Sequence, residues 1–264
     1  MPPPPATVTA TFQLKWEGRT LDASVAVPTA PVRPRVVLPV IQQLTNALVG
    51  MGESLVAERG ETVSCRAGCG ACCRQLVPVS ETEAHHLRDL IDAMPEPRRA
   101  AVRARFAAVR DQLAAVGMLE AFVDPVVAAA TPTLGIDYFR LGIACPFLED
   151  ESCSIHPDRP LSCREYLVTS PAEHCRNPTR DVVRRVPTPG FAMTSFAALD
   201  GLPPGGKGCR WVPLALAPDW ADAHPEPPAT VPGTDLFASF MSFLMKLEKK
   251  IAPPATIVAA EGVL

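Results

Sequence analysis

The sequence predicts an α+β fold, mostly helical with short β-hairpins, around an irregular cysteine-rich metal-binding core. Three observations carry this. Helical signals run through 36–60, 80–93 and 97–117, apolar and polar residues alternate around a turn signal at 17–19, and an acidic turn at 149–152 marks a second hairpin. Cys65, Cys69, Cys72 and Cys73 fall within nine positions that Gly68 and Gly70 interrupt. With 264 residues, 47% of them apolar, the chain can bury a core without cross-links.

Residues 7–27 alternate around Glu17-Gly18-Arg19, which predicts a hairpin. The next stretch, 36–60, places Val40, Ile41, Leu44, Leu48, Met51 and Leu55 on one helical face, with Gly60 as its C-cap. Ser80 followed by Glu83 is a capping-box signature that opens a helix through about Ala93. A helix over 97–117, rich in Ala and Arg, turns a Val/Phe/Leu stripe inward and stops at Gly117. Cys145 and Cys153 flank the acidic turn Glu149-Asp150-Glu151-Ser152, a tight hairpin that brings both thiols to one end. Asp158 is placed to cap a short helical turn carrying Cys163. Beyond 178 the Pro/Gly-rich chain reads as loops until an amphipathic helix near 234–250. Three segments follow: an N-terminal hairpin and helix (1–60), the cysteine-cluster region (61–180), and a wrap with a C-terminal helix (181–264), expected to form one compact domain.

Charge is nearly balanced, 25 basic against 28 acidic side chains, so nothing points to nucleic acid or an anionic membrane as partner. The N-terminus, MPPPPATVTATFQLKW, lacks a basic region followed by an apolar run, and no stretch approaches the roughly 20 apolar residues of a membrane span. A cytoplasmic, reducing location is expected. There, nine cysteines read as metal ligands or redox groups before disulfides.

Four thiols among Gly, Ala and Arg make no apolar stripe, and Cys72-Cys73 could close only as a strained vicinal ring. Metal binding is the expectation left. Adjacent side chains diverge, so Cys72 and Cys73 are expected to serve different metal atoms. Cys65, Cys69, Cys72, Cys73, Cys145, Cys153, Cys163 and Cys175 give eight thiols, enough for one or two sites holding an iron–sulfur cluster or Zn/Fe ions, with Cys209 left over. Arg66, Arg74, Arg164, Arg176 and Arg210 each follow a cysteine, a placement suited to neutralising a thiolate centre.

The blocks CRAGCGACC and CPFLEDESCSIHPDRPLSCREY resemble the YkgJ-type cysteine-cluster family, described as a CxxCxxCC zinc- or iron-chelating domain. The resemblance runs over about 64–176 through the same eight cysteines with Arg159, Pro160 and Arg164, and it implies metal chelation without implying one reaction. The first gap holds three residues instead of two, and His156 stands where the family has Tyr. Relatives such as flagellin lysine N-methylase are enzymes whose cluster works beside S-adenosylmethionine. The resemblance therefore leaves open a peptide- or protein-modifying enzyme and a structural zinc module acting through protein partners. No dinucleotide fingerprint or P-loop accompanies it. The acid–base candidates nearest the cysteines are Glu81, Glu83, His156 and Tyr166, each with a structural role also available, and His85, His86 and His174 are expected to pack or face solvent.

Overall fold

Glu17 and Gly18 both adopt left-handed backbone angles, φ 47° and 73°, the type I′ geometry that matches the twist of a two-residue hairpin. They join strands β1 (Thr7–Trp16) and β2 (Arg19–Pro28), paired in register from Trp16↔Arg19 to Thr7↔Pro28. Alternation along β1 buries Phe12, Leu14 and Trp16 on one face. The computed structural model describes residues 6–123, 133–176, 178, 182–201, 210–248 and 256–259.

After β3 (Pro31–Val32) comes helix α1 (Leu38–Glu58), which buries Ile41, Leu44, Leu48, Met51 and Leu55, with Val40 half-buried. It ends in a Schellman motif. Gly60 sits at φ 75°, its N–H donates to the Ala57 carbonyl, and Glu61 N–H donates to the Val56 carbonyl.

β4 (Pro78–Val79) leads into α2 (Glu81–Asp92), whose Ser80/Glu83 capping box forms in full. α3 (Arg98–Ala115) buries Val102, Phe106, Val109 and Leu113, while its arginines reach Asp92, Glu149 and Asp219. α4 (Leu119–Val123) and α5 (Leu134–Arg140) follow. The Asp150-Glu151 turn, at φ 49° and 56°, joins β5 (Leu148–Glu149) to β6 (Ser152–Cys153), the expected hairpin. Next comes α6 (Leu161–Glu165), carrying Cys163.

Asp158 does not cap α6. It belongs to a 3-10 turn at His156–Asp158, and the residue ahead of α6 is Pro160, which has no side-chain oxygen to offer. The carboxylate of Glu83 accepts from Leu161 N–H at 2.7 Å in its place.

The Pro/Gly-rich segment holds more structure than loops. It contains α7 (Ala192–Ala197), β7 (Val212–Pro213), α8 (Ala217–Ala223), β8 (Val231–Pro232) and α9 (Gly233–Glu248), then β9 (Thr256–Ala259), which pairs with β1. The short strands close long loops: β3 pairs with β8, and β4 with β7.

Among the described residues, two apolar cores are the largest. One lies between the sheet β2-β1-β9, α1, α7 and α9, around Leu14, Ile41, Leu48, Phe196 and Phe240. The other joins α2, α3 and the β5–β6 hairpin around Leu87, Ile91, Phe106, Phe147 and Ile155.

Three carboxylates link helix ends in a closed circuit. Glu83 of α2 holds the start of α6; Glu165, at the end of α6, accepts from Ala192 and Met193 N–H (2.9 and 2.7 Å) at the start of α7; Asp200, in the 3-10 turn after α7, accepts from Thr82 N–H and Oγ (3.2 and 2.6 Å) at the start of α2. Each satisfies N–H groups that a helix start leaves without partners. The circuit fixes α6, and with it Cys163. Among the described residues, no helix is long and apolar enough to cross a membrane.

Candidate metal centre

The first cysteine block leaves α1 and turns through the exposed Arg66-Ala67-Gly68 loop, where Gly68 sits at φ 78°, into a 3-10 turn at Ala71–Arg74 that carries Cys72 and Cys73. Buried Gly70 faces the other block. A Cβ there would come within 2.6 Å of Glu151 Oε2 and 2.8 Å of Leu148, so glycine permits the close approach of the β5–β6 hairpin. Arg74 seals it with a bidentate pair to Glu151 (2.6 and 3.1 Å) and a 2.9 Å bond to the Gly70 carbonyl. Cys145 N–H donates to the Cys73 carbonyl at 2.7 Å.

The eight predicted ligands Cys65, Cys69, Cys72, Cys73, Cys145, Cys153, Cys163 and Cys175 converge from both blocks as free thiols. Cys209 lies outside the described residues. Cys65, Cys69 and Cys175 pack together with Ala71, Tyr166 and Val168. Cys145 and Cys153 pack instead against the core around Phe147 and Ile155. Cys163 stands within electrostatic reach of Cys145 and Cys153, and Cys73 within reach of Cys145 and Cys163.

Donors are aimed at several sulfurs. Backbone N–H groups of Val168, Phe147 and Ile155 donate to Cys65, Cys145 and Cys153, and the Tyr166 hydroxyl, itself accepting from Gln75, donates to Cys175. Such hydrogen bonds stabilise sulfur as thiolate. Burial opposes them: it pushes Cys145 up to about 12 and Cys175 up to about 11, and raises Cys65, Cys153 and Cys163 as well. Cys72 moves the other way, down to about 7, because the Cys73 thiol donates to it; that bond raises Cys73.

A half-buried, donor-lined set of eight soft sulfurs fits a thiophilic ion in its chemistry. Among the described residues, no three His, Cys, Asp or Glu side chains stand close enough to hold one ion as they are positioned.

The cations are not arranged as their sequence positions suggest. Arg74 is engaged by Glu151 and Arg210 by Glu81 at 2.6 Å, while Arg164 donates to the carbonyls of Pro157 and Arg159 and to Asn46 Oδ1. The cations whose charge reaches the thiols include Arg159, at Cys65, Cys72 and Cys153, and Arg105, at Cys145. The only side-chain partner of Arg159 among the described residues is His156, with Arg159 Nη1 at 2.6 Å from His156 Nε2.

The acid–base candidates all have structural engagements. Glu81 pairs with Arg210, and Glu83 is 1% exposed and holds two helix starts. His156 is exposed beside Arg159, and Tyr166 serves Cys175. His85 packs edge-on against Trp220, and His174 bonds the Val182 carbonyl. Sequence reasoning did not find Arg159 and Arg105 as cations reaching the thiols, nor Gln75 and the Val168, Phe147 and Ile155 amides as donors. For the last two amides the signal was present, since each lies two residues beyond its cysteine.

Residues 64–181 match the family model described as "CxxCxxCC: Putative zinc- or iron-chelating domain". No curated protein and no solved structure matches the chain. The matched CxxCxxCC segment contains all eight converging cysteines, Arg159 and the Arg74–Glu151 clasp, and the family description assigns it zinc or iron chelation.

Proposed function

We propose that the chain is a polythiolate metal-centre protein in which Cys65, Cys69, Cys72, Cys73, Cys145, Cys153, Cys163 and Cys175 hold iron, as an iron–sulfur cluster, or zinc. The carrying observation is that free thiols from two blocks, 72 positions apart between Cys73 and Cys145, converge on backbone and Tyr166 donors. Bound iron–sulfur would supply electron transfer or sensing, and zinc a structural cross-link.

The protein's own groups have defined parts in this reading. The amides of Val168, Phe147 and Ile155 and the Tyr166 hydroxyl stabilise thiolate charge, and Arg159 offsets it. Glu83 fixes the turn that presents Cys163. A reading as a peptide- or protein-modifying enzyme draws support from an open cleft of about 340 Å³ beside the first block, lined by Ala71, Arg74, Phe139 and Arg176.

Anaerobic purification followed by metal, sulfide and visible-absorption measurements tests the proposal. Iron with sulfide and absorption on the order of 400 nm means a cluster; stoichiometric zinc in a colourless protein means a structural staple. Protein that retains neither metal after reconstitution overturns it.

A further inference from the structure

A second open cleft, of about 390 Å³, lies between α1 and the segment leading from the 3-10 turn at His156–Asp158 into α6. From α1 it is lined by Asn46, Val49 and Glu53, spaced three and four apart on one helical face, and from the other segment by His156, Arg159 and Arg164. Most arginines among the described residues pair with a carboxylate, but Arg159 and Arg164 do not. Arg164 is 5% exposed and donates to the carbonyls of Pro157 and Arg159 and to Asn46 Oδ1, which holds the Arg159 backbone against α1. Arg159 keeps donors in reserve. Its Nη1 meets His156 Nε2, its Nη2 has no acceptor among the described residues, and its Nε is buried without one. It acts on Cys65, Cys72 and Cys153 through charge, without a hydrogen bond. A buried donor in this state is costly, and native structures almost always supply an acceptor. His156 registers the uncompensated charge: Arg159 first, then burial and Arg164, lower its imidazole pKa.

The walls narrow the class of acceptor. Glu53, exposed and without a cation partner among the described residues, lines the same cleft and disfavours a doubly charged anion. Leu161 N–H, the amide at the start of α6 that could cradle a phosphate, is already held by Glu83. Val49 and Leu167 supply an apolar patch. A singly charged, planar anion on a short apolar chain meets all three conditions, and its two oxygens match the guanidinium fork.

We propose that this cleft binds a small aliphatic monocarboxylate, whose oxygens take the unsatisfied donors of Arg159 while its chain packs on Val49 and Leu167. Arg164 positions Arg159 through the backbone, and Glu53 limits the charge the ligand can carry. Binding requires no metal at the thiols.

Butyrate is the probe, titrated into the full chain carrying nitrogen-15 arginine, with metal content matched between samples and sodium chloride as the ionic-strength control. The Arg159 Nε–H resonance, assigned by its absence from Arg159→Lys, should move saturably with a Kd on the order of 1 mM and stay still in chloride. Binding to the variants is read from broadening of the butyrate methyl signal. Arg159→Lys keeps the charge but loses the fork and should weaken binding about tenfold. Glu53→Gln removes the opposing charge and should tighten it about threefold. No saturable shift at Arg159, or full binding by Arg159→Lys, overturns the proposal. Inorganic phosphate that moves the same resonance more tightly than butyrate overturns the monocarboxylate class. Should Arg159→Lys misfold, Glu53→Gln still decides, because an unchanged Kd there places butyrate outside this cleft.

Discussion

At the scale of single residues, the buried acids do more for this fold than the exposed ion pairs. Glu83 accepts from Ser80 N–H and Oγ and from Leu161 N–H while 1% exposed, so truncating it leaves helix-start donors without partners in a dry site. Glu83→Ala should lower unfolding free energy by about 3 kcal/mol in urea titrations, whereas Glu173→Ala at an exposed position should stay within about 0.5 kcal/mol of wild type. Asp200 carries a pH signature. Burial raises its carboxyl from the ordinary 3.8 to about 6, while the bonds from Thr82 pull the other way and the neighbouring Glu81, paired with Arg210, adds to the rise. The folded chain therefore keeps a proton that the unfolded chain has lost, and this group's contribution to stability falls as pH rises from about 4 to about 6. Asp200→Asn keeps an acceptor for Thr82 and cannot titrate. Relative to wild type, its melting temperature should gain steadily from pH 4 to 6 and run parallel above that; an unchanged difference across the range would contradict the assignment.

At the scale of elements, α1 contains two glycines with opposite duties. A Cβ on Gly50 would meet nothing within 4 Å, so Gly50→Ala should stabilise by about 0.5–1 kcal/mol through helix propensity. On Gly52 it would come within 2.0 Å of the Pro187 carbonyl oxygen, and backbone cannot swing aside as a side chain can. Gly52→Ala should therefore destabilise by about 2 kcal/mol despite the same gain in propensity, as thermal melts of the two variants would show. Nothing near Gly52 in sequence announces this, because Pro187 is a long-range neighbour. The same distinction separates what was legible from what was not. The β1–β2 turn, the Gly60 C-cap, the Ser80/Glu83 box and the inward stripe of α3 are written in residues three to five apart, and each forms as read. The cap on α6 was misassigned to Asp158 because its real acceptor lies 78 residues away. The pairs β3–β8 and β4–β7 are two residues long, too short to show a period of two. α7 and α8 are short helices in a segment whose prolines and glycines mask them.

At the scale of the whole molecule, the cysteines gather at a junction that only the folded chain creates, although their spacing announced the chemistry. Which thiol neighbours which depends on Gly70 admitting the β5–β6 hairpin and on the carboxylate circuit fixing α6, and neither is a local pattern. This architecture predicts how metal and fold are coupled. The α6 helix carries Cys163, one of the proposed ligands, and its Glu165 holds the start of α7, so metal bound there would restrain α6 and through it α7. The hairpin β1–β2 shares its core with Leu161 of α6 and Phe196 of α7, but its own protection comes from the ten-residue ladder between its two strands. Chelation of the loaded protein should therefore raise amide exchange across 145–176 and at 192–197 while leaving 7–28 as protected as before. Hydrogen–deuterium exchange with mass spectrometry reads this directly. Uniform loosening, hairpin included, would mean that metal binding and the β1–β2 core unfold as one cooperative unit; unchanged exchange at 192–197 would mean that the Glu165 link does not transmit the restraint.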